Sequence, residues 1–148
     1  MILYVDSSAL MRRYLNRPGR EEMGSRLSES ELVATATLPQ VEVAASLTRL
    51  AKGGVITLRD AAHAIHRLEQ DRDAMWLIPI NSVVVGRAYH LGQQYGLKGY
   101  DAVHLAAATT VRAVVGQSVE LATFDAQLWA AGAVEGLEVW PPDLSAFQ

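Results

Sequence analysis

Met1-Ile-Leu-Tyr-Val-Asp6-Ser-Ser-Ala-Leu10 opens the chain. Ile2–Val5 is apolar with β-branched ends, is too short for a helix and stops at a charge, so it reads as a buried strand. Ser7 or Ser8 is then expected to cap a helix that carries Leu10, Met11, Tyr14 and Leu15 at helical spacing. A strand that ends in a carboxylate and passes directly into a helix is the first half of a βα unit, and the rest of the chain repeats that alternation. Asn16–Gly19 is a turn, Glu21–Leu27 a short helix and Leu32–Ala36 a strand. Thr37-Leu-Pro-Gln40 has the form of a capping box with Pro39 in the first turn, and predicts a helix with Val43, Leu47, Leu50 and Ala51 inward, ended by Gly53-Gly54. The pattern continues as a helix over Leu58–Arg72 with Ala61, Ile65 and Leu68 inward, a strand over Trp76–Ile80, and a helix over Ser82–Tyr95 closed by Gly96. A further helix starts near Tyr100-Asp101, followed by a strand at Val119–Ala122, a helix at Ala126–Ala131 and a strand at Glu138–Trp140 before Pro141-Pro142. Strands alternating with helices imply an α/β fold, a parallel β-sheet flanked by helices on both faces. Such sheets bind ligands outside the carboxyl ends of their strands.

The length of 148 residues suits a single domain over 1–148, large enough to bury a core without staples. The absence of cysteine excludes disulfides, thiolate nucleophiles and cysteine-held metals. Half of the residues are hydrophobic and one fifth are charged, which excludes a disordered chain. No apolar run approaches the ~18 residues that span a bilayer. The N-terminus has no basic run before its apolar residues, so the expected location is cytoplasmic, with no membrane partner. A formal charge of −3, from 16 carboxylates against 13 Lys and Arg, argues against a protein that coats nucleic acid.

Four acids occupy telling places. Asp6 follows the first strand, Asp125 follows the strand Val119–Ala122, Asp101 lies at a helix start, and Glu42 lies early in its helix on a face with Ser46 and Arg49. Taken singly, each aspartate reads as a helix cap and Glu42 as part of a solvated face. As a set they come from four elements whose ends a doubly wound sheet gathers on one edge. Carboxylates that close together cannot all stay ionised without compensation. A hard divalent cation supplies it, and an all-oxygen donor set favours Mg²⁺, or Mn²⁺, over zinc.

The segments Tyr4-Val-Asp6-Ser-Ser-Ala-Leu10, Val41-Glu-Val-Ala-Ala45, Tyr100-Asp-Ala-Val-His-Leu-Ala-Ala107 and Leu121-Ala-Thr-Phe-Asp125 resemble, in order and approximate spacing, those of PIN-domain proteins, and among them the VapC toxins of bacterial toxin–antitoxin pairs. The resemblance covers essentially the whole chain. It implies a PIN-like three-layer fold and a metal-dependent endoribonuclease with Asp6, Glu42, Asp101 and Asp125 as its acidic quartet. It further implies an RNA substrate, a small cognate antitoxin with a tail across the active-site groove, and a homodimer. The stretch before Glu42 departs from the more hydroxyl-rich lead-in of many relatives, which Pro39 at a first helical turn tolerates.

On that resemblance, Asp6, Asp101 and Glu42 hold one or two Mg²⁺ ions, and Asp125 completes the site or acts through water. In-line attack of an activated water then leaves a 5′-phosphate and a 3′-hydroxyl. Ser7 and Thr123 are candidates to orient carboxylates, with simple capping as the alternative. His104 lies one turn after Asp101 and is a candidate for a supporting or substrate role, or a satisfied half-buried histidine. Arg12 and Arg13, clustered with Arg17 and Arg20, are candidates to grip phosphate, or a solvated face. His63 and His66 have the spacing of a metal pair but read as surface residues.

Other functions fit less well. A haloacid-dehalogenase-type phosphatase needs a second aspartate where Ser8 stands, and a response-regulator receiver needs an acidic pair ahead of the first strand's aspartate. A PIN-fold module that binds RNA or antitoxin without turnover, and a housekeeping RNA-processing nuclease, remain as alternatives. The net charge fits a nuclease once the quartet is counted as a cation trap. With those four set aside, the 13 basic side chains outnumber the remaining acids.

Overall fold

A computed structural model describes residues 1–148. Its elements run in the order β1 (Ile2–Val5), α1 (Ser7–Tyr14), α2 (Arg20–Glu29), β2 (Leu32–Ala36), α3 (Pro39–Lys52), α4 (Leu58–Arg72), β3 (Trp76–Ile78), α5 (Ser82–Tyr95), α6 (Gly99–Val115), β4 (Val119–Ala122), α7 (Ala126–Val134) and β5 (Glu138–Trp140). A short 3₁₀ turn at Leu144–Phe147 follows. The expected parallel α/β sheet is present: all five strands pair in parallel, in the order β3-β2-β1-β4-β5. β1 is central, with Tyr4 opposite Ala34 on one side and Leu121 on the other. No helix is long and apolar enough to cross a membrane.

Side chains alternate across the sheet, and that alternation builds two cores. Leu3, Val5 and Ala122 face α1–α4, where they pack with Leu10, Met23, Val43, Leu47 and Leu68. Ile2, Tyr4, Ala34, Ala36 and Leu121 face α5–α7, where they meet Val84, Leu91, Leu105 and Leu128. α6 lies against this face with a run of alanines, Ala106 to Ala108, fully buried, which lets the helix approach the sheet closely.

The order of the strands places the site. The chain leaves β1 toward β2 and β3 on one side, and β4 and β5 lie on the other. Helix α1 therefore leaves β1 on one face and α7 leaves β4 on the opposite face. Their divergence opens a crevice at the carboxyl ends of β1 and β4, the switch point of a doubly wound sheet.

Four local expectations are corrected. Helix α1 is capped by Asp6 itself, which is extended and accepts from the Ala9 amide at 2.8 Å, and not by Ser7 or Ser8. The capping box at Thr37–Gln40 does not form. Leu38 is already in helical conformation and no side chain caps α3, so Thr37 sits one residue too far out. The Thr37 amide, which Gln40 would serve in such a box, donates instead to the Ile78 carbonyl at 3.2 Å. Strand β3 ends at Ile78, not Ile80, because Pro79 has no amide to continue the ladder. Ile65 is only partly buried, and Ala64 takes the inward place beside Ala61 and Leu68.

Gly19 joins α1–α2 geometry to the crevice. It has φ of 91° at the start of α2, and a Cβ there would lie 3.0 Å from the Phe124 ring, next to Asp125. Gly19→Ala combines left-handed strain with a steric push on a packed ring. It is expected to cost about 1–3 kcal/mol, a fall of several degrees in Tm by calorimetry. An unchanged Tm would refute the close packing of this turn.

Candidate active site

The crevice is lined by Asp6, Ser7, Ser8, Glu42, Lys98, Gly99, Tyr100, Asp101, His104 and Asp125. All four acids singled out in the sequence thus face one cleft. Asp6 comes from the end of β1, Glu42 from the first turn of α3, Asp101 from the first turn of α6, and Asp125 from the start of α7. Two of them are also caps: Asp6 of α1, and Asp125 of α7 through the Leu128 amide at 2.9 Å. The cap reading and the site reading are compatible, because a carboxylate has about four lone-pair sites and the capping amide occupies one of them. Asp101 is not a cap; Lys98 starts α6 with no side-chain cap.

Asp6 is the most tightly held. It is 2% exposed. Ser8 Oγ donates to its carboxylate at 2.7 Å and Thr123 Oγ1 donates at 2.6 Å. These hydroxyls are themselves fixed from behind: the Phe124 amide donates to Ser8 Oγ, and the Asp125 amide donates to Thr123 Oγ1. The loop after β4 is therefore tied to the start of α1 through the Asp6 carboxylate. Thr123 orients a carboxylate as its place in the sequence predicts. Ser8, read there only as a cap, does the same, and its position two residues after Asp6 was the available signal.

Glu42 is held from the other side. Ser7 Oγ makes a short hydrogen bond to its Oε2, and the same hydroxyl lies 3.3 Å from Nε2 of His104. His104 is 2% exposed and its Nδ1 is 2.9 Å from the Tyr4 hydroxyl. Burial pushes this imidazole down to about 4, so it is neutral at physiological pH.

The charges confirm crowding. Burial, opposed by the three hydrogen bonds it accepts and assisted by Asp125, pushes Asp6 up to about 6. Burial, then the charges of Asp125 and Asp6, push Asp101 up to about 6 against the pull of Lys98. Lys98 is the one cation on the cleft wall. The sequence reading passed over it, although it lies three residues before Asp101. Tyr100 adds an exposed ring at the rim. Arg12 and Arg13 are not brought to the cleft. The Arg12 guanidinium stacks 4.4 Å over the Phe124 ring and donates to the Pro18 carbonyl, while Arg13 pairs with Asp71 at 3.2 Å. His63 and His66 are exposed on α4, as their spacing on that helix suggested.

The donor set suits a hard divalent ion in its chemistry: oxygen only, excess negative charge, and carboxylates that repel one another. As arranged, no group of three histidine, aspartate or glutamate side chains is close enough to hold an ion. Holding a cation here would require Glu42, Asp101 or Asp125 to move, since Asp6 is the most firmly anchored of the four.

The PIN domain family model matches residues 3–133. A Mycobacterium tuberculosis protein named Ribonuclease VapC45 is 26% identical over 147 residues, 97% of each chain. A second protein of that species, Ribonuclease VapC47, is 28% identical over 115 residues, 75% of this chain and 77% of that one. Among solved structures, a toxin–antitoxin complex from Klebsiella pneumoniae shares the fold with a TM-score of 0.64 at 23% identity, over 86% of this chain and 90% of that one. FitAcB from Neisseria gonorrhoeae shares it with a TM-score of 0.67 at 18% identity, over 96% and 98%.

The raised carboxylates make stability depend on pH and on cations. Asp101 has the ordinary aspartate value of about 3.8 when unfolded and is pushed up to about 6 when folded. The folded protein binds the extra proton, so stability falls as pH rises through that window, and the cost is complete above pH 6. After discounting for partial exposure, Asp101→Asn should stabilise the metal-free protein by about 1 kcal/mol at pH 7.5 and by nothing near pH 3.5. Mg²⁺ or Mn²⁺ should raise the Tm of the unsubstituted protein more than that of the variant. Equal Tm values for both proteins across the pH range, with and without the ion, would show that Asp101 feels no crowding.

Proposed function

The chain belongs to the PIN-domain family, and from that premise we propose that it is a VapC-type endoribonuclease, the toxin of a toxin–antitoxin pair. The reading rests on one observation: four carboxylates from four separate elements line a single cleft at the switch point of the sheet. Its relatives named as ribonucleases run the length of the chain, which supports the same activity here.

Asp6, Glu42, Asp101 and Asp125 are the residues that would hold Mg²⁺, with Mn²⁺ as the alternative. The bound ion would supply an activated water and neutralise charge developing on the scissile phosphodiester. The chain's own contribution is positioning. Ser8 and Thr123 fix the Asp6 carboxylate, so the site has one immobile ligand around which the others close. Lys98, standing on the cleft wall, meets the incoming phosphate and offsets the repulsion between an acidic cleft and a polyanion. With Arg12 and Arg13 committed to Phe124, Pro18 and Asp71, phosphate gripping falls to Lys98. Tyr100 presents a ring for a base to stack on.

The partners belong to the same reading. A small antitoxin with a basic tail complements the uncompensated carboxylates of the metal-free cleft. Exposed Val85 and Tyr89, one turn apart on α5, give a second copy of the chain an apolar surface for a homodimer. A single nuclease domain acting in the cytoplasm completes it.

Cleavage of a structured RNA should require Mg²⁺ or Mn²⁺ and stop on chelation with EDTA. Asp6→Asn should lower the rate at least about a hundredfold, since even residues behind a metal's ligands commonly cost 10–100-fold. Expression of the chain alone should arrest growth, and co-expression of the product of a small adjacent reading frame should relieve it. Cleavage that survives both EDTA and Asp6→Asn would refute the metal-nuclease reading. Metal-dependent cleavage without growth arrest would favour a housekeeping nuclease.

A further inference from the structure

A chain of hydrogen bonds runs from the middle of the sheet to the cleft. Tyr4, completely buried in β1, faces α6. Its hydroxyl meets His104 Nδ1 at 2.9 Å, His104 Nε2 lies 3.3 Å from Ser7 Oγ, and Ser7 Oγ donates to Glu42 Oε2. Glu42 Oε1 makes no hydrogen bond within the protein. Three elements that are far apart in sequence contribute: β1 with the start of α1, the second turn of α6, and the first turn of α3.

We infer that Tyr4 and His104 are positioning residues that set the direction of the Ser7 hydroxyl and thereby present Glu42 to the cleft in one orientation. The inference rests on the nuclease reading for what Glu42 does, but the direction of the hydrogen bonds follows from the residues themselves. An ionised carboxylate accepts only, so the single Ser7 proton points to Glu42. Ser7 Oγ then offers a lone pair to His104, which must carry its proton on Nε2. A neutral imidazole with Nε2–H has a bare Nδ1, and that nitrogen accepts the Tyr4 proton. The phenol O–H carries the one proton this contact needs. Every link is thus fixed by the one before it. His104 is 2% exposed and sits behind Ser7, so it acts through Ser7 and touches no reacting atom.

The position also accounts for a histidine buried among the apolar residues Ala102, Leu105, Ala106 and Ala107 of α6. A buried imidazole with only one partner would cost stability. With a partner on each nitrogen it is satisfied, and it bridges the apolar core to the cleft.

The test combines a spectroscopic signature with metal binding. Nitrogen-15 NMR of the histidine rings in the full chain should show His104 as the Nε2–H tautomer at neutral pH, and Tyr4→Phe should shift its Nδ1 resonance. Tyr4→Phe deletes one buried hydroxyl far from the cleft. It should raise the Mn²⁺ concentration for half-saturation about tenfold, measured by the paramagnetic resonance of free Mn²⁺, and leave KM for RNA unchanged. His104→Gln keeps a donor and an acceptor and should bind Mn²⁺ within about threefold of the unsubstituted protein, whereas His104→Leu should behave as Tyr4→Phe or worse. An Nδ1–H tautomer for His104, or Mn²⁺ binding unchanged in both Tyr4→Phe and His104→Leu, overturns the inference. If the unsubstituted protein binds no Mn²⁺ and cleaves no RNA, the nuclease reading fails, and the tautomer alone then decides for or against the hydrogen-bond chain.

Discussion

The buried carboxylate of Asp6 is the constraint on which the rest of the site depends. It sits where β1 ends and α1 begins, accepts the Ala9 amide, and receives hydroxyls from Ser8 and Thr123. Without those donors a carboxylate exposed to so little water would be too costly to keep. With them it does three things at once. It starts a helix, it ties the loop after β4 to α1, and it leaves an acid at the bottom of the crevice. Even so, desolvation outweighs the hydrogen bonds and the carboxyl is pushed up to about 6. A cation held as proposed would offset that remaining charge.

The two sides of the cleft are built differently. On the Asp6 side, the hydroxyls of Ser8 in α1 and of Thr123 in the loop after β4 give a rigid anchor. On the Glu42 side, the anchor is a longer chain that reaches through Ser7 and His104 to Tyr4 in the core. Asp101 and Asp125 have no comparable support for their free oxygens, and no three acids are close enough to hold an ion. In the proposed metal site, Asp6 would be the fixed ligand, Glu42 the oriented one, and Asp101 and Asp125 the adjustable ones.

The fold was largely legible from residues 1–10 and the alternation that follows. Six elements have the bounds read from the sequence, among them β1, β2, α4 and α5, because apolar runs and glycine or proline stops mark them. What misled the local reading was competition between neighbouring polar groups. Ser7 and Ser8 are better caps by type than by place, and Asp6 already occupied the geometry. Thr37 and Gln40 have capping-box spacing, but Leu38 had joined the helix before the box could form. Gln40 Nε2 is left buried without a hydrogen-bond partner. Arg12 and Arg13 lie near Asp6 in sequence, but helical phase turns them to Phe124 and Asp71.

The sequence by itself determined the chemistry available: oxygen donors, no thiols, four acids at or near element ends, and a sheet whose carboxyl edge would gather them. Periodicity and residue type are local properties, and they suffice for that. Only the tertiary structure decided which acid is anchored and by what. The order β3-β2-β1-β4-β5 sets β4 beside β1 and so brings Thr123 to Asp6 across 117 residues. The packing of α6 on β1 brings His104 to Tyr4 across 100. Those contacts depend on how two cores close on opposite faces of one sheet, and nothing in the spacing of residues along the chain encodes a distance across it.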